Sequence, residues 1–285
     1  MYSDAGNQHS SKGQAGDAAH LTQRLFKQQN YTEIVNLSSH TKTCLDINRP
    51  DHQLATFLIV ISHIYTGFFS EAAKLFAEFT NSLNTSTSDI YWVKLFVLLR
   101  RDAIPLQAFL PLIRRALYDN NASTTRYVEA ARTLKRHGML NDALSILQNI
   151  STRDKTIQIL RLQNDLLLKL GRLRESLQFT QNLAKNEQQP TNDIEIMLLE
   201  SALQNRDVNA ALQSIKHLTK SKSLSFSHTI TLANAHSSLG QQIQATQLLR
   251  QQLAMLNREA VKERAVIYAH LLDLNCPQTD VDSVI

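Results

Sequence analysis

Cysteine, glycine and tryptophan are scarce in this 285-residue chain. It has two cysteines, seven glycines and one tryptophan. The two cysteines, Cys44 and Cys276, are far apart, so the sequence favours neither a disulfide framework nor a zinc site and predicts a reducing, cytoplasmic location. Hydrophobic residues make up 43% and charged residues 19% of the chain. This is the composition of an ordinary soluble globular protein and excludes a fibrous or fully disordered one.

Motifs that mark enzyme active sites are also missing. The sequence has no GxGxxG or GxxxxGK[ST] loop for a phosphate, no HExxH zinc motif and no GxSxG nucleophile elbow. Its ten histidines are scattered, which is typical of surface and core-edge residues rather than of metal ligands. The sequence therefore predicts a protein that is not an enzyme and that binds no cofactor and no metal.

Long hydrophobic runs and a secretory signal are absent as well. The longest apolar stretch without charge is 54–69, whose 16 residues fall short of the roughly 20 that cross a bilayer. We expect a buried helix there and no membrane span. Residues 1–16 are small and polar, without the basic-then-apolar order of a signal peptide, and they predict a disordered tail.

The glycines that remain outside this tail reveal an internal repeat. Each of these four glycines is followed five residues later by a small residue, and Arg206 and Ala211 form a fifth copy without glycine. The small residues recur at intervals of 71, 33, 35 and 34 positions, and a period near 34 is the signature of a repeat architecture. The four glycine copies are Gly67/Ala72, Gly138/Ala143, Gly171/Ser176 and Gly240/Ala245.

Helical hydrophobic patterns precede and follow each glycine, so each copy predicts a helix hairpin. Glycine suits the left-handed residue that ends a first helix, and the small residue allows the second helix to approach closely. A last helix at 258–275 has no following partner and is expected to cap the array, before a flexible tail at 276–285. The predicted hairpin turns lie near Gln29, Gly67, Asp102, Gly138, Gly171, Arg206 and Gly240.

This pattern resembles the tetratricopeptide-repeat superfamily, over roughly residues 17–257. The resemblance implies an all-α, right-handed α-solenoid of about seven helix hairpins. The resemblance says little about the function of this particular protein, because such arrays serve many pathways. The repeat at 124–157 has the family's residue types at seven positions: Tyr127, Ala131, Gly138, Leu140, Ala143, Leu147 and Ile150.

The resemblance also implies which residues line the concave groove and contact a partner. In the family register, the early repeats contribute apolar and aromatic residues, the central repeats contribute cations, and the last repeat contributes small polar residues. The apolar residues have two interpretations, core packing or an interface for a partner helix or for a second copy in a homo-oligomer. The predicted partner-binding residues are Tyr65, Trp92, Phe96, Arg100, Arg132, Lys135, Arg136, Arg161, Lys169 and Asn234.

Positive charge is concentrated in the middle of the chain. Residues 100–185 contain 15 Lys and Arg but only 7 Asp and Glu, whereas the whole chain has a net charge of +5. A basic groove would attract an acidic peptide or protein segment. A solvated outer face is the alternative, because Arg114, Arg115, Arg153, Arg172 and Arg174 lie off the groove in this register.

These features predict a non-catalytic adaptor or scaffold that holds a partner protein or peptide. One alternative is a docking or regulatory subunit of a separate enzyme, such as a transferase or a secretion or assembly machinery. An RNA-binding helical-repeat protein is a weaker alternative, because no regular pair of polar residues recurs to read bases. The sequence names neither the partner nor the pathway.

Overall fold

The computed structural model describes residues 7–102, 104–117, 122–151, 154–187, 190–221 and 224–274, and the described residues form α-helices and no strand. The chain divides into two compact units, which meet in the sequence between Asp154 and Lys155. The all-helical fold class that the sequence predicts is confirmed.

Unit one contains eight described α-helices, and the successive helices α1 and α2, α3 and α4, and α7 and α8 pack as hairpins. Between α5 and α6, a 3-10 turn at Leu106–Phe109 packs on α4. Helix α1 begins at Asn7, inside the predicted polar tail, and residues 1–6 lie outside the described part. The helices are α1 Asn7–Lys27, α2 Tyr31–Cys44, α3 Pro50–Tyr65, α4 Phe69–Asn81, α5 Thr85–Arg101, α6 Leu110–Leu117, α7 Thr124–Arg136 and α8 Leu140–Gln148.

Unit two contains three further hairpins and a final single helix, α15, at the place predicted for a capping helix. The first helices α9, α11 and α13 also pack side by side. The flexible tail predicted at 276–285 lies outside the described residues. The helices are α9 Ile157–Lys169, α10 Leu173–Asn186, α11 Asn192–Gln204, α12 Val208–Lys220, α13 Phe226–Ser238, α14 Gln242–Met255 and α15 Val261–Asp273.

The same backbone motif closes six of the hairpin turns. At Gly138, with a φ of 78°, the amide donates to the Lys135 carbonyl, and the next amide, of Met139, donates to the Leu134 carbonyl. These two bonds define the Schellman motif, which requires a left-handed residue. Arg206 adopts the same conformation without being glycine, with a φ of 58°. The six left-handed residues are Gln29, Gly67, Gly138, Gly171, Arg206 and Gly240.

The small residues five positions after the turns are all completely buried. Each is the fourth residue of a second helix. Because a larger side chain there would push the two helices apart, the residue type is fixed by packing. The role that the sequence predicts for these five residues is confirmed: Ala72, Ala143, Ser176, Ala211 and Ala245.

Aromatic rings dominate the core of unit one between α3, α4 and α5. The Trp92 ring lies edge-on to Phe76, with centroids 4.8 Å apart, and stacks on Phe96 at 5.5 Å. The Phe57 and Tyr91 rings, 5.1 Å apart, join α3 to α5. Aromatic pairs at these separations add favourable quadrupole interactions to their hydrophobic burial.

The core of unit two is aliphatic but encloses a small polar network. Asn164 on α9 accepts hydrogen bonds through Oδ1 from the Ser176 hydroxyl at 2.7 Å and from the Ser201 hydroxyl at 3.1 Å. The two serine oxygens are also 2.7 Å apart, and all three residues are buried. Because buried polar groups are tolerated only when they are hydrogen-bonded, this network fixes how α9, α10 and α11 fit together.

Candidate partner-binding surfaces

Helices α5 and α7 of unit one expose one continuous face. On α5, Ile90, Lys94, Val97 and Arg101 follow one another at intervals of four, three and four residues, so they project from the same side of the helix. Ile90 is 54% and Val97 40% exposed. The α5–α7 face consists of Ile90, Val93, Lys94, Val97, Arg100 and Arg101 on α5, and of Val128, Arg132, Lys135 and Arg136 on α7.

A nearly buried carboxylate joins the two helices beneath this face. Glu129 of α7 accepts a hydrogen bond from Arg100 of α5, at 2.7 Å, and another from Arg132, at 2.6 Å. Its side chain is buried, whereas the two guanidinium groups remain partly exposed. Each carboxylate oxygen binds one arginine, so the two guanidinium groups are held side by side with a combined charge that exceeds that of Glu129.

Further cations extend this charge along the face. Arg100, Arg101 and Arg132 share two carboxylates, Glu129 and Asp102, so these three arginines already carry more charge than their partners neutralise. Lys94 and Arg136 are both exposed and add to this excess. The face therefore combines exposed aliphatic residues with a net positive charge.

Tyr65, the last residue of α3, lies at one end of this face. Its hydroxyl donates a hydrogen bond to Asp102 Oδ2 at 2.9 Å, and Arg101 also binds Asp102. Partial burial, followed by the bond to Asp102, raises the pKa of Tyr65 above its ordinary value. The hydrogen bond from Arg101 lowers the pKa of Asp102. The tyrosine is therefore a fixed, neutral donor whose ring also lies 4.9 Å from that of Tyr31.

Trp92 and Phe96 are not part of any surface. Both belong to the aromatic core of unit one and are at most 3% exposed, so neither can contact a partner as the groove register predicts. The reason is that the large residues Tyr91, Trp92, Leu95 and Phe96 turn inward together. The face opposite them, which contains Ile90 and Val97, is left in solvent.

The predicted cations of unit two lie on α9 and are paired. Arg161 Nη1 is 3.2 Å from Asp193 Oδ1, and Lys169 Nζ is 3.8 Å from Asp165 Oδ1. Asn234 is exposed on α13, where its carbonyl accepts a hydrogen bond from Ser238. These three residues therefore belong to a polar surface on which the positive charges are compensated, unlike the α5–α7 face.

A largely buried carboxyl group, Glu200 on α11, accompanies these ion pairs. Burial, with a contribution from the charge of Asp165, raises its pKa from the ordinary 4.5, although Arg161 and His228 act in the opposite direction. The folded protein therefore binds a proton at Glu200 more tightly than the unfolded chain does. Ionisation of Glu200 accordingly destabilises unit two once the pH rises above about 4.5, the unfolded value.

Replacing Glu200 by glutamine is expected to stabilise unit two at neutral pH, because the amide has no charge to desolvate. The stability gain should disappear as the pH falls below about 4.5, where the carboxyl of the wild type is protonated in both states. Thermal unfolding of both proteins across this pH range measures the difference. E259Q, which removes the same charge at an exposed position, is the control, and an equal pH-dependent gain there would contradict the assignment to Glu200.

Sequence reasoning did not identify Ile90, Lys94, Val97 and Arg101 as surface residues of α5. The signal was nevertheless present, because the bulkiest residues of this segment fall at 91, 92, 95, 96 and 99. A helix buries its largest apolar stripe, so positions 90, 94, 97 and 101 are the complementary side. The pairing of Arg161 with Asp193, thirty-two residues apart, could not be read from spacing in the sequence.

No protein-family model matches the sequence, and no curated protein is detectably similar to it. No described helix has both the length and the hydropathy needed to span a membrane. Among the residues that the structure describes, no three His, Cys, Asp or Glu side chains come together as they would around a metal ion.

Proposed function

We propose that this chain is a non-catalytic adaptor of the tetratricopeptide-repeat type, which holds an acidic segment of a partner protein on the α5–α7 face. The observation that supports this most directly is the charge of that face. Three arginines share the carboxylates of Glu129 and Asp102, and further cations lie on the same two helices as they do, together with the exposed residues Ile90 and Val97 of α5. An excess of positive charge around an apolar strip suits an amphipathic acidic ligand.

The two arginines on Glu129 add geometric specificity to this charge. Arg100 and Arg132 are each anchored by one short hydrogen bond to Glu129, so part of their side-chain entropy is already lost before a ligand binds. A guanidinium group has five N–H donors, and one bond to Glu129 leaves several for an incoming carboxylate. Preorganised donors of this kind bind an acidic side chain with a smaller entropic penalty.

A protein partner is favoured over RNA by the position of the aromatic residues. Single-stranded RNA is held largely by bases that stack on exposed aromatic rings. Trp92 and Phe96, the largest rings of α5, are buried in the core and unable to stack on a base. What α5 exposes in their place is aliphatic, at Ile90 and Val97, and this suits the apolar side of a peptide.

The proposal is tested by selecting peptides from a random phage-displayed library on the purified full-length protein. We expect enrichment of peptides that combine Asp or Glu with aliphatic residues. Reversing two cations of the face, in R132E/R136E, should weaken binding of a selected peptide by at least about tenfold, since close charge pairs contribute about 1 kcal/mol or more at an interface. Fluorescence anisotropy at two salt concentrations measures both the affinity and its electrostatic part.

The matched control is K74E/R114E, which makes the same change in net charge on α4 and α6, away from the face. This variant should bind the selected peptides as the wild type does. Two results would contradict the proposal: enrichment of peptides without acidic residues, or equal losses of affinity in both variants. Circular dichroism of each variant establishes that the helices are intact.

A further inference from the structure

Helix α15 is the last described helix, and it packs mainly on α14. Its buried residues Ile267 and Leu271 pack on Ala233, Ala245 and Leu249 of the preceding hairpin. In the same way, Leu232 and Ala235 of α13 pack on α11 and α12. Helix α13 is then covered on its other side by α14, whereas among the residues described no helix follows α15.

The side of α15 that no second helix covers is apolar. Its residues lie within about 80° of one another around the helix, at 100° per residue. Val261 is 69% and Leu272 55% exposed, and both alanines between them are exposed as well. In the α13–α14 hairpin, Ala233 of α13 packs on Ala245 and Leu249 of α14. We call this surface the α15 face, which consists of Val261, Ala265, Ala269 and Leu272.

We propose that the α15 face is a self-association surface, on which two copies of this chain pair their α15 helices in antiparallel orientation. Antiparallel pairing places Val261 against Leu272 of the partner subunit and Ala265 against Ala269 of the partner subunit. The contact maps onto itself under a two-fold axis, so it closes at a dimer. The central alanines permit the helix axes to approach closely, and each end is filled by one valine and one leucine.

Charge complementarity selects a second copy as the occupant. Lys262 and Asp273 lie on the same flank of the α15 face, one residue after Val261 and Leu272, and both are exposed. In an antiparallel pair, Lys262 therefore lies beside Asp273 of the partner subunit, and the symmetry produces this ion pair twice. In a parallel arrangement the flanks that carry Lys262 would lie on opposite sides of the contact, so neither Lys262 would meet Asp273 of the partner subunit.

The contact is small, which sets the expected affinity. One pair of helices of this length buries less area than the roughly 1,200 to 2,000 Å² of typical stable complexes. We therefore expect a reversible dimer with a dissociation constant on the order of micromolar. This association uses α15 of unit two, whereas the proposed partner-binding face belongs to unit one.

Sedimentation velocity of the full-length protein, at concentrations from about 1 to 200 μM, tests the inference. The mass should rise with concentration from 32.2 kDa towards twice that value. V261E/L272E should remain monomeric throughout. The matched control is V208E/L212E, which places the same two charges on exposed apolar residues of α12 and should dimerise like the wild type.

Charge reversal tests the orientation without touching the apolar residues. K262D should weaken the dimer about fivefold to tenfold, because two attractions become two repulsions, and K262D/D273K should restore it. A wild type that stays monomeric at the highest concentration would overturn the inference, and the α15 face would then be left for another protein or chain segment. A dimer that persists in V261E/L272E, or that K262D/D273K fails to restore, would equally overturn it.

Discussion

Replacing Asp89 by alanine is expected to destabilise unit one by about 3–5 kcal/mol, the effect of removing one partner from a buried ion pair. Arg126 of α7 is 3% exposed. Its guanidinium group donates to Asp89 Oδ1 at 3.2 Å and lies 4.7 Å from the centroid of the Trp92 ring. Asp89 also accepts a hydrogen bond from the backbone amide of Ser123, the N-cap of α7. Without the carboxylate, buried Arg126 loses its ion pair with Asp89, and the Ser123 amide at the start of α7 loses its acceptor.

Urea unfolding monitored by tryptophan fluorescence measures this effect. Trp92 is the only tryptophan in the chain and lies in unit one, so the signal reports on that unit. D89N, which keeps an oxygen acceptor without the charge, should lose less stability than D89A. In the double variant D89A/R126M no charge of this pair remains, and most of the stability should return. A loss below about 1 kcal/mol for D89A would show that water already compensates Arg126.

Replacing Asn164 by alanine is the second substitution with a large expected effect, a loss of about 2–4 kcal/mol in unit two. Asn164 Oδ1 is the shared acceptor for the hydroxyls of Ser176 and Ser201, and all three residues are buried. Its removal deprives both buried hydroxyls of that acceptor. Each buried polar group left without a partner costs about 1–3 kcal/mol, and the bond between the two serines offsets part of this.

Hydrogen exchange followed by mass spectrometry measures the loss, because unit two contains no tryptophan. Amides of α9 to α11 should exchange faster in N164A. The triple variant N164A/S176A/S201A should recover part of the protection, because its core contains no orphaned hydroxyl from this network. N209A, at an exposed position of α12, is the control and should match the wild type. Protection that is lower in the triple variant than in N164A would contradict the role assigned to the network.

The sequence predicted the hairpin turns and their packing because both depend on local chemistry. A left-handed turn residue and a small buried residue five positions later are needed wherever two helices meet in this way, and Gly138 with Ala143 illustrates both. Arg206 shows that the turn keeps its conformation with a residue other than glycine, since its φ of 58° is positive like those of the glycines. The spacing of the small residues therefore located the hairpin turns, even at the copy that has Arg206 where the others have glycine.

The candidate surfaces were harder to predict, because exposure depends on which side of each helix the neighbours cover. The family register assigned Trp92 and Phe96 to the groove, but the hydrophobic effect turns the largest rings inward. Arg161 was predicted as a partner-binding cation of the groove, and only the packing of α11 beside α9 brings Asp193 to it. Arg132 and Arg136 were predicted correctly as cations of a first helix, and whether they bind a partner stays a prediction.

The closure of the hairpin turns has a consequence for how such a chain can diversify. Two main-chain hydrogen bonds close each turn, and the residue after the left-handed position takes part in this closure through its main-chain amide, although Asp207 also caps α12 with its side chain. Six different side chains occupy that place: Asn30, Phe68, Met139, Arg172, Asp207 and Gln241. The architecture thus prescribes few side-chain identities, and substitutions on the outward sides of the helices leave it intact. One scaffold can in this way present a cationic surface in one half and a charge-balanced one in the other.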